Sequence, residues 1–288
     1  MKKVKGIMAL VLALTMLAPT MAFAACSNEE ATLPQTPPSA EQTPPTEENG
    51  TTPAPPETPD SGGGGDSENA PPVEPVVSYA QYIRCTGNDV NLRSGAGTGY
   101  AVVGEAHKGE IYAVVGKTGD WYKTYYRGKT VYISASYAAI FSIQKSENNV
   151  VEDVLSEGYQ LLGVPYVYGA VRLHDGKGKL LSGFTAQKFD CSSLVQYMFY
   201  HGANELLQVT TRTQVSQGKY VHPSDLQRGD CIYFTNDSRQ HLSGIERVGH
   251  VAVYLGNEYI LHTASDYARI EKMSAKRWSQ YIEARRFV

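Results

Sequence analysis

Twelve of the 15 prolines in this 288-residue chain fall between residues 27 and 76, among Thr, Glu and the run Gly62 to Gly65, with almost no large apolar side chain. A stretch of that composition cannot bury enough apolar surface to offset the entropy of ordering it. Folding is therefore expected only in residues 77–288. Residues 27–76 read as a disordered linker which, at about 3 Å per residue where extended, can hold a folded body far from an anchor. Charge divides at the same boundary: 27–76 carry ten acids and no base, whereas 77–288 carry 23 bases against 19 acids. That excess is small and scattered, without the clustered basic stripe of a nucleic-acid binder, so no nucleic-acid partner is expected.

Residues 1–26 read as an export signal. Lys2, Lys3 and Lys5 precede an apolar run of 11 residues, Ile7 to Leu17, too short for a bilayer core that needs about 20. Two processing sites follow. Ala22-Phe23-Ala24 fits an ordinary signal peptidase, whereas Phe23-Ala24-Ala25-Cys26 resembles a bacterial lipobox, although Leu is usual where Phe23 stands. The favoured reading is lipidation of Cys26 and anchoring at the outer face of the cytoplasmic membrane; the alternative is free secretion.

Residues 77–142 alternate short β runs with turn residues: Val90 to Leu92, Val102-Val103, Ile111 to Val115, Trp121 to Tyr126 and Val131 to Ile133, which suggests a small barrel. From about residue 148 the period changes. Val151, Val154, Leu155, Gly158 and Leu162 share one helical face, and a second helix is expected from Cys191 to about His201, with Leu194, Val195, Met198 and Phe199 apolar. Strand-like runs follow at Asp230 to Thr235, His250 to Leu255, Glu258 to His262, Ile270 to Met273 and Ile282 to Val288. Helices first and antiparallel strands later make residues 148–288 an α+β domain.

Four cysteines in an exported chain invite disulfide arithmetic, but Cys26 sits in the processing site and Cys85, Cys191 and Cys231 cannot all pair. Cys231, in an apolar strand run, reads as core; Cys85 receives no function. Cys191 opens a helix after Phe189-Asp190, where unpaired amides and the helix dipole favour thiolate over thiol. The plain alternative is a small buried residue at a helix start. Thiolate catalysis also needs an imidazole within reach and a group to orient it. Two of the seven histidines suit this: His250 starts one strand and His262 closes the next, with Gly256-Asn257 between. A two-residue Gly-Asn turn would put the imidazoles on opposite faces, so an odd loop or a bulge is expected, setting His250 directly opposite His262. The histidines lack helical i, i+4 spacing with a carboxylate, and no metal or other cofactor is expected.

Two resemblances follow. Asn91-Leu92-Arg93-Ser94-Gly95, with Gly104, Gly109, Trp121-Tyr122-Lys123 and Val131-Tyr132-Ile133-Ser134, resembles a bacterial SH3 (SH3b) domain. That implies binding of wall peptide or positioning of a catalytic partner; the alternative is a barrel that only packs on its neighbour. Residues 150–288 resemble an NlpC/P60 domain, the papain-like cell-wall endopeptidase family. The resemblance rests on Gly163-Val164-Pro165-Tyr166-Val167-Tyr168-Gly169, Phe189-Asp190-Cys191-Ser192-Ser193-Leu194, Thr211-Arg212-Thr213-Gln214, Leu226-Gln227-Arg228-Gly229-Asp230, Gly249-His250-Val251-Ala252-Val253 and Leu261-His262-Thr263. It implies Cys191 as nucleophile, His250 as base and His262 as orienting residue. It also implies Tyr166, Asp190, Ser192 and Arg212 near the oxyanion or substrate.

The family usually carries Trp-Gly-Gly where Tyr168-Gly169-Ala170 stand, and Gly where Ser193 follows Asp-Cys-Ser. An extended connection from Ala170 to Phe189 holds Arg172, Lys177, Lys179 and Lys188, which form either a basic rim over the cleft or a solvated loop. The expected whole is an α+β papain-like catalytic domain behind a small SH3b-type β-barrel. It would be a monomeric cysteine endopeptidase cutting peptidoglycan or muropeptide stem peptides, at the γ-D-glutamyl to diamino-acid bond. The competing readings are a wall-binding protein with little hydrolysis, or a papain-like amidase or acyltransferase.

Overall fold

The computed structural model describes residues 77–288. The export signal, Cys26 and the linker of 27–76 lie outside the described residues. The first strands are β1 (Tyr79–Cys85), β2 (Val90–Arg93), β3 (Val102–Ala106) and β4 (Ile111–Ala113), then β5 (Gly116–Thr118), β6 (Trp121–Tyr126), β7 (Lys129–Ser134) and β8 (Ala138–Gln144). Helices α1 (Asn149–Gln160), α2 (Cys191–Ala203) and α3 (Thr211–Gln214) come next. The chain continues through β9 (Lys219–Val221), β10 (Cys231–Phe234), β11 (His250–Gly256), β12 (Tyr259–Ala264), β13 (Tyr267–Lys272), α4 (Ala275–Ser279) and β14 (Tyr281–Arg286).

Helix α1 begins where Asn148 caps it, its side chain accepting from the Val150 amide at 3.0 Å. Its buried face is Val151, Val154, Leu155, Gly158 and Tyr159. Helix α2 buries Leu194, Val195, Met198 and Phe199 completely. The two helices cross so closely that a Cβ on Gly202 would lie 2.4 Å from the Val154 Cα. Together they cover one face of the β10–β12 region, where Val251, Val253 and Leu261 meet them in a shared core.

The two units read from the sequence are not separate bodies. A nine-stranded sheet runs β8-β1-β4-β13-β12-β11-β10-β14-β9, and a five-stranded sheet β3-β2-β7-β6-β5 completes the barrel portion. The join is the antiparallel approach of β4 to β13, with Ile111 opposite Ile270. One apolar core then extends from Tyr82, Ile83 and Ile143 to Leu155, Leu194 and Leu261. Arg228 reinforces the seam. Its Nε and Nη2 donate to the two carboxylate oxygens of Glu152 at 2.6 and 3.0 Å, and its remaining N–H groups reach Tyr82 Oη, Tyr159 Oη and the Leu255 carbonyl.

Cys85, Cys191 and Cys231 are all free thiols. Cys231 is completely buried on β10, as its apolar run implies. Among the described residues no helix is long and apolar enough to cross a membrane.

Candidate active site

Cys191 is the first residue of α2, and the turn before it is heavily tied down. Asp190 caps the helix through a capping box: its Oδ1 accepts from the Ser193 amide at 2.9 Å, while its own amide donates to Ser193 Oγ at 2.9 Å. Ser193, where the family usually has Gly, therefore has a local role. Phe189 lies alongside Pro165–Tyr166, donating its amide to the Pro165 carbonyl at 3.1 Å and accepting from the Val167 amide at 2.9 Å. That ladder brings Tyr166 to the same pocket as Cys191.

The pocket measures ≈ 490 Å³ and is lined by Cys191, Tyr166 and His250, with Asn236, Glu271 and Arg277 among its other walls. His250 opens β11 opposite Phe234. Its Nε2 lies 2.8 Å from His262 Nδ1, and the other nitrogen of His262 lies 3.2 Å from Glu271 Oε1. Arg277 reaches the same Glu271 oxygen at 3.4 Å.

The histidines meet by a different register from the expected one. Val253 pairs with Leu261 and Tyr254 with Ile260, then a bulge shifts the pairing to Gly256 with Tyr259. Asn257 and Glu258 form the turn, both left-handed at φ 51° and 66°. His250 is therefore not directly opposite His262 but offset diagonally along the ladder. The bulge keeps the parity even, so both imidazoles still share one face.

Electrostatics also depart from expectation. Burial, with a smaller contribution from the Asp190 carboxylate, pushes the Cys191 thiol up to about 12, although the amides of Val251, Ser192 and Cys191 favour the thiolate. Desolvation outweighs the helix terminus, so the resting sulfur is a thiol. Burial, then His262 and Arg277, push His250 well below the usual imidazole range, and burial also lowers His262. The resting pair is neutral thiol with neutral imidazole. Burial, then Cys191 and Asp190, raise the Tyr166 hydroxyl to about 12, so it is a protonated donor at neutral pH.

Three other candidate residues lie elsewhere. Asp190 and Ser192 are buried at 4% and 3% exposure and turn inward. Asp190 Oδ2 is held by Arg172 Nη2 at 2.8 Å and by the Gly169 amide at 3.2 Å, and Ser192 Oγ bonds Asp190 and the Val209 carbonyl. Arg212 lies 3.6 Å from Glu246 and does not line the Cys191 pocket. The 171–188 connection also stays out of the pocket lining: Arg172 points into the structure, while Lys177, Lys179 and Lys188 are exposed. Sequence reasoning missed Glu271 and Arg277. Alternation on β13 marks Arg269 and Glu271 as sharing a face, but only pairing with β12 says that His262 lies beside them. Among the described residues no cluster of His, Cys, Asp and Glu could hold a metal ion.

A cysteine at the start of a packed helix, with a buried histidine pair on the neighbouring antiparallel sheet, defines a papain-like α+β fold, here joined to an SH3-type barrel. Residues 163–286 match the NlpC/P60 family and residues 88–139 match the bacterial SH3 domain. The chain is 30% identical over 142 residues to peptidoglycan DL-endopeptidase CwlO of Bacillus licheniformis, covering 48% of this chain and 28% of that protein. It is 27% identical over 193 residues to gamma-DL-glutamyl hydrolase of Bacillus subtilis, covering 66% and 40%. Against peptidoglycan endopeptidase RipB of Mycobacterium tuberculosis it is 31% identical over 120 residues, covering 42% and 46%. The chain thus spans less than half the length of each of these relatives. The solved structure of the M. tuberculosis peptidoglycan hydrolase RipB is 27% identical, with a TM-score of 0.38, covering 48% of this chain and 64% of that one.

Proposed function

We propose that the protein is a cysteine endopeptidase of the bacterial wall, acting on peptidoglycan stem peptides between γ-D-glutamate and the diamino acid. The observation that carries this reading is the pocket in which Cys191, His250 and Tyr166 converge, with His250 backed by His262 at 2.8 Å. The bond preference is supported by the family and by the names of the relatives.

The chemistry starts from the neutral pair. When a peptide carbonyl enters the pocket, the Cys191 proton passes to His250 Nδ1 as sulfur bonds to the carbonyl carbon. The Cys191 amide and the Tyr166 hydroxyl are the donors offered to the oxyanion. His250 then returns the proton to the leaving amine as the C–N bond breaks, leaving a thioester. Water, deprotonated by His250, attacks the thioester; its second product is the carboxyl group, and the sulfur recovers its proton. His262 holds the His250 ring throughout.

The SH3 portion, continuous with the catalytic sheet, is read as presenting wall substrate to the pocket rather than as a free tether. Export is supported by the N-terminal Lys residues and apolar run, and anchoring through lipidated Cys26 by Phe23-Ala24-Ala25-Cys26. The test is mass spectrometry of purified peptidoglycan digested with the full chain and with Cys191→Ala. Fragments ending in γ-D-glutamate from the intact protein alone are expected. Products released at another linkage would instead support an amidase or acyltransferase, and binding to wall without cleavage by either protein would replace the peptidase reading with a binding one.

A further inference from the structure

The geometry points to Glu271 as a positioning residue that sets the proton order of both histidines, and through them leaves His250 Nδ1 free to act as base. This rests on the proposed peptidase chemistry for its consequence, but not for its structural content.

His262 is 1% exposed and each ring nitrogen has one polar neighbour. Nδ1 faces His250 Nε2 at 2.8 Å; Nε2 is buried and lies 3.2 Å from Glu271 Oε1, a charge contact whose alignment falls short of a hydrogen bond. A neutral imidazole carries one N–H and one lone pair, and its neighbours decide which nitrogen has which. An ionised carboxylate can only accept. Burial opposes ionisation of Glu271, but contact with His262 and the charges of Arg277 and Arg269 outweigh it and hold the carboxyl at about 2.

The sequence of protons then has one solution. The ionised Glu271 oxygen 3.2 Å away favours the proton on His262 Nε2, which leaves a lone pair at Nδ1. That lone pair can only accept, so His250 must donate from Nε2 across the 2.8 Å contact. A neutral His250 with its proton on Nε2 has its lone pair on Nδ1, the one nitrogen left for Cys191. Reversing the first step would reverse the second, and His250 would offer Cys191 a donor where it needs an acceptor.

Sheet register and a helix build this arrangement. On β13, Arg269 lies opposite His262 and Glu271 opposite Ile260, so Glu271 reaches His262 along a diagonal. From α4, Arg277 holds the same oxygen at 3.4 Å while stacking over Phe234 with its guanidinium 5.4 Å from the ring centre. The groups facing His262 are thus His250 from β11, Arg269 and Glu271 from β13, and Arg277 from α4. Glu271 acts through His262 and not on sulfur.

The experiment is long-range 15N–1H NMR of the histidine rings in the full chain at neutral pH, with Glu271→Gln beside it. In the native protein both His250 and His262 are expected as Nε2–H tautomers. A carboxamide can donate as well as accept, so Glu271→Gln should populate the Nδ1–H form of both rings, lower kcat by about 10–100-fold, the loss seen when the carboxylate that orients a metal-bound histidine is removed, leave KM within about twofold and displace the pH profile of kcat/KM. A native His262 protonated on Nδ1 overturns the inference without any variant. Unchanged tautomers and pH profile in a folded Glu271→Gln protein overturn it as well. The NMR assignment needs no substrate: the expected tautomers in a protein that cuts no wall would uphold the relay while refuting the peptidase reading.

Discussion

Replacing Arg228 by Met tests whether the seam between barrel and α+β domain is held by one saturated guanidinium. All five N–H groups of Arg228 have acceptors at 2.6–3.0 Å, two of them on the Glu152 carboxylate. Tyr82 Oη and Tyr159 Oη lie 2.7 Å apart and keep each other when the arginine is lost. Glu152 keeps only the Ser146 amide, which donates to its Oε1 at 2.9 Å, and loses both guanidinium contacts. Removing one partner of a buried ion pair costs about 3–5 kcal/mol because the remaining charge is left without compensation. The Glu152 side chain is 18% exposed, which lets water recover part of that, so about 3 kcal/mol is expected. For a folded region of this size, about 2–4 °C of Tm accompanies each kcal/mol, giving a fall of about 6–12 °C. Glu152→Leu added to Arg228→Met should recover at least 1 kcal/mol, because two apolar groups replace a broken pair. The assay is urea and thermal unfolding of the full chain followed by tyrosine fluorescence. A loss below 1 kcal/mol in the single variant, or a double variant less stable than the single, would refute the reasoning.

Cys191, with its thiol raised to about 12, should react with iodoacetamide at neutral pH at least 100-fold more slowly than free cysteine and about tenfold faster per pH unit above 7, since only thiolate alkylates; reaction at the free-thiol rate at pH 7 would mean a resting ion pair with His250 instead. Gly202→Ala should destabilise by about 2–3 kcal/mol, because the added methyl meets the Val154 backbone at 2.4 Å and α1 cannot yield as a flexible side chain would; chemical denaturation checks this, and a neutral effect would show that the helices slide apart freely. Arg172→Ala should cost about 2–3 kcal/mol by stranding the Asp190 carboxylate, 5% exposed at the Cys191 turn, and Asp190→Asn in the same background should recover part of the loss in the same unfolding assay.

The local elements of this protein are written in short-range patterns. Apolar spacing marks α1 and α2, and β-branched and aromatic runs mark most strands. Asp190 at the start of α2 marks the cap that presents Cys191, and the residues around Cys191, His250 and His262 carry the NlpC/P60 resemblance. What tertiary structure decided is everything that depends on distance through space. The bulge before Gly256 set the histidines diagonally, because a turn with two left-handed residues, Asn257 and Glu258, took up the loop that the sequence left open. Burial overrode the helix terminus at Cys191, since desolvation depends on what packs around a thiol and not on its neighbours in the chain. Arg172, read as one residue of a possible basic rim, turned inward because a buried carboxylate lay within its reach. Glu271 came beside His262 only when β13 paired with β12, and the barrel joined the sheet that carries the histidines only when Ile111 met Ile270. Composition and period act along the chain; charge partners and strand neighbours are chosen across it, where contacts many residues apart compete on equal terms.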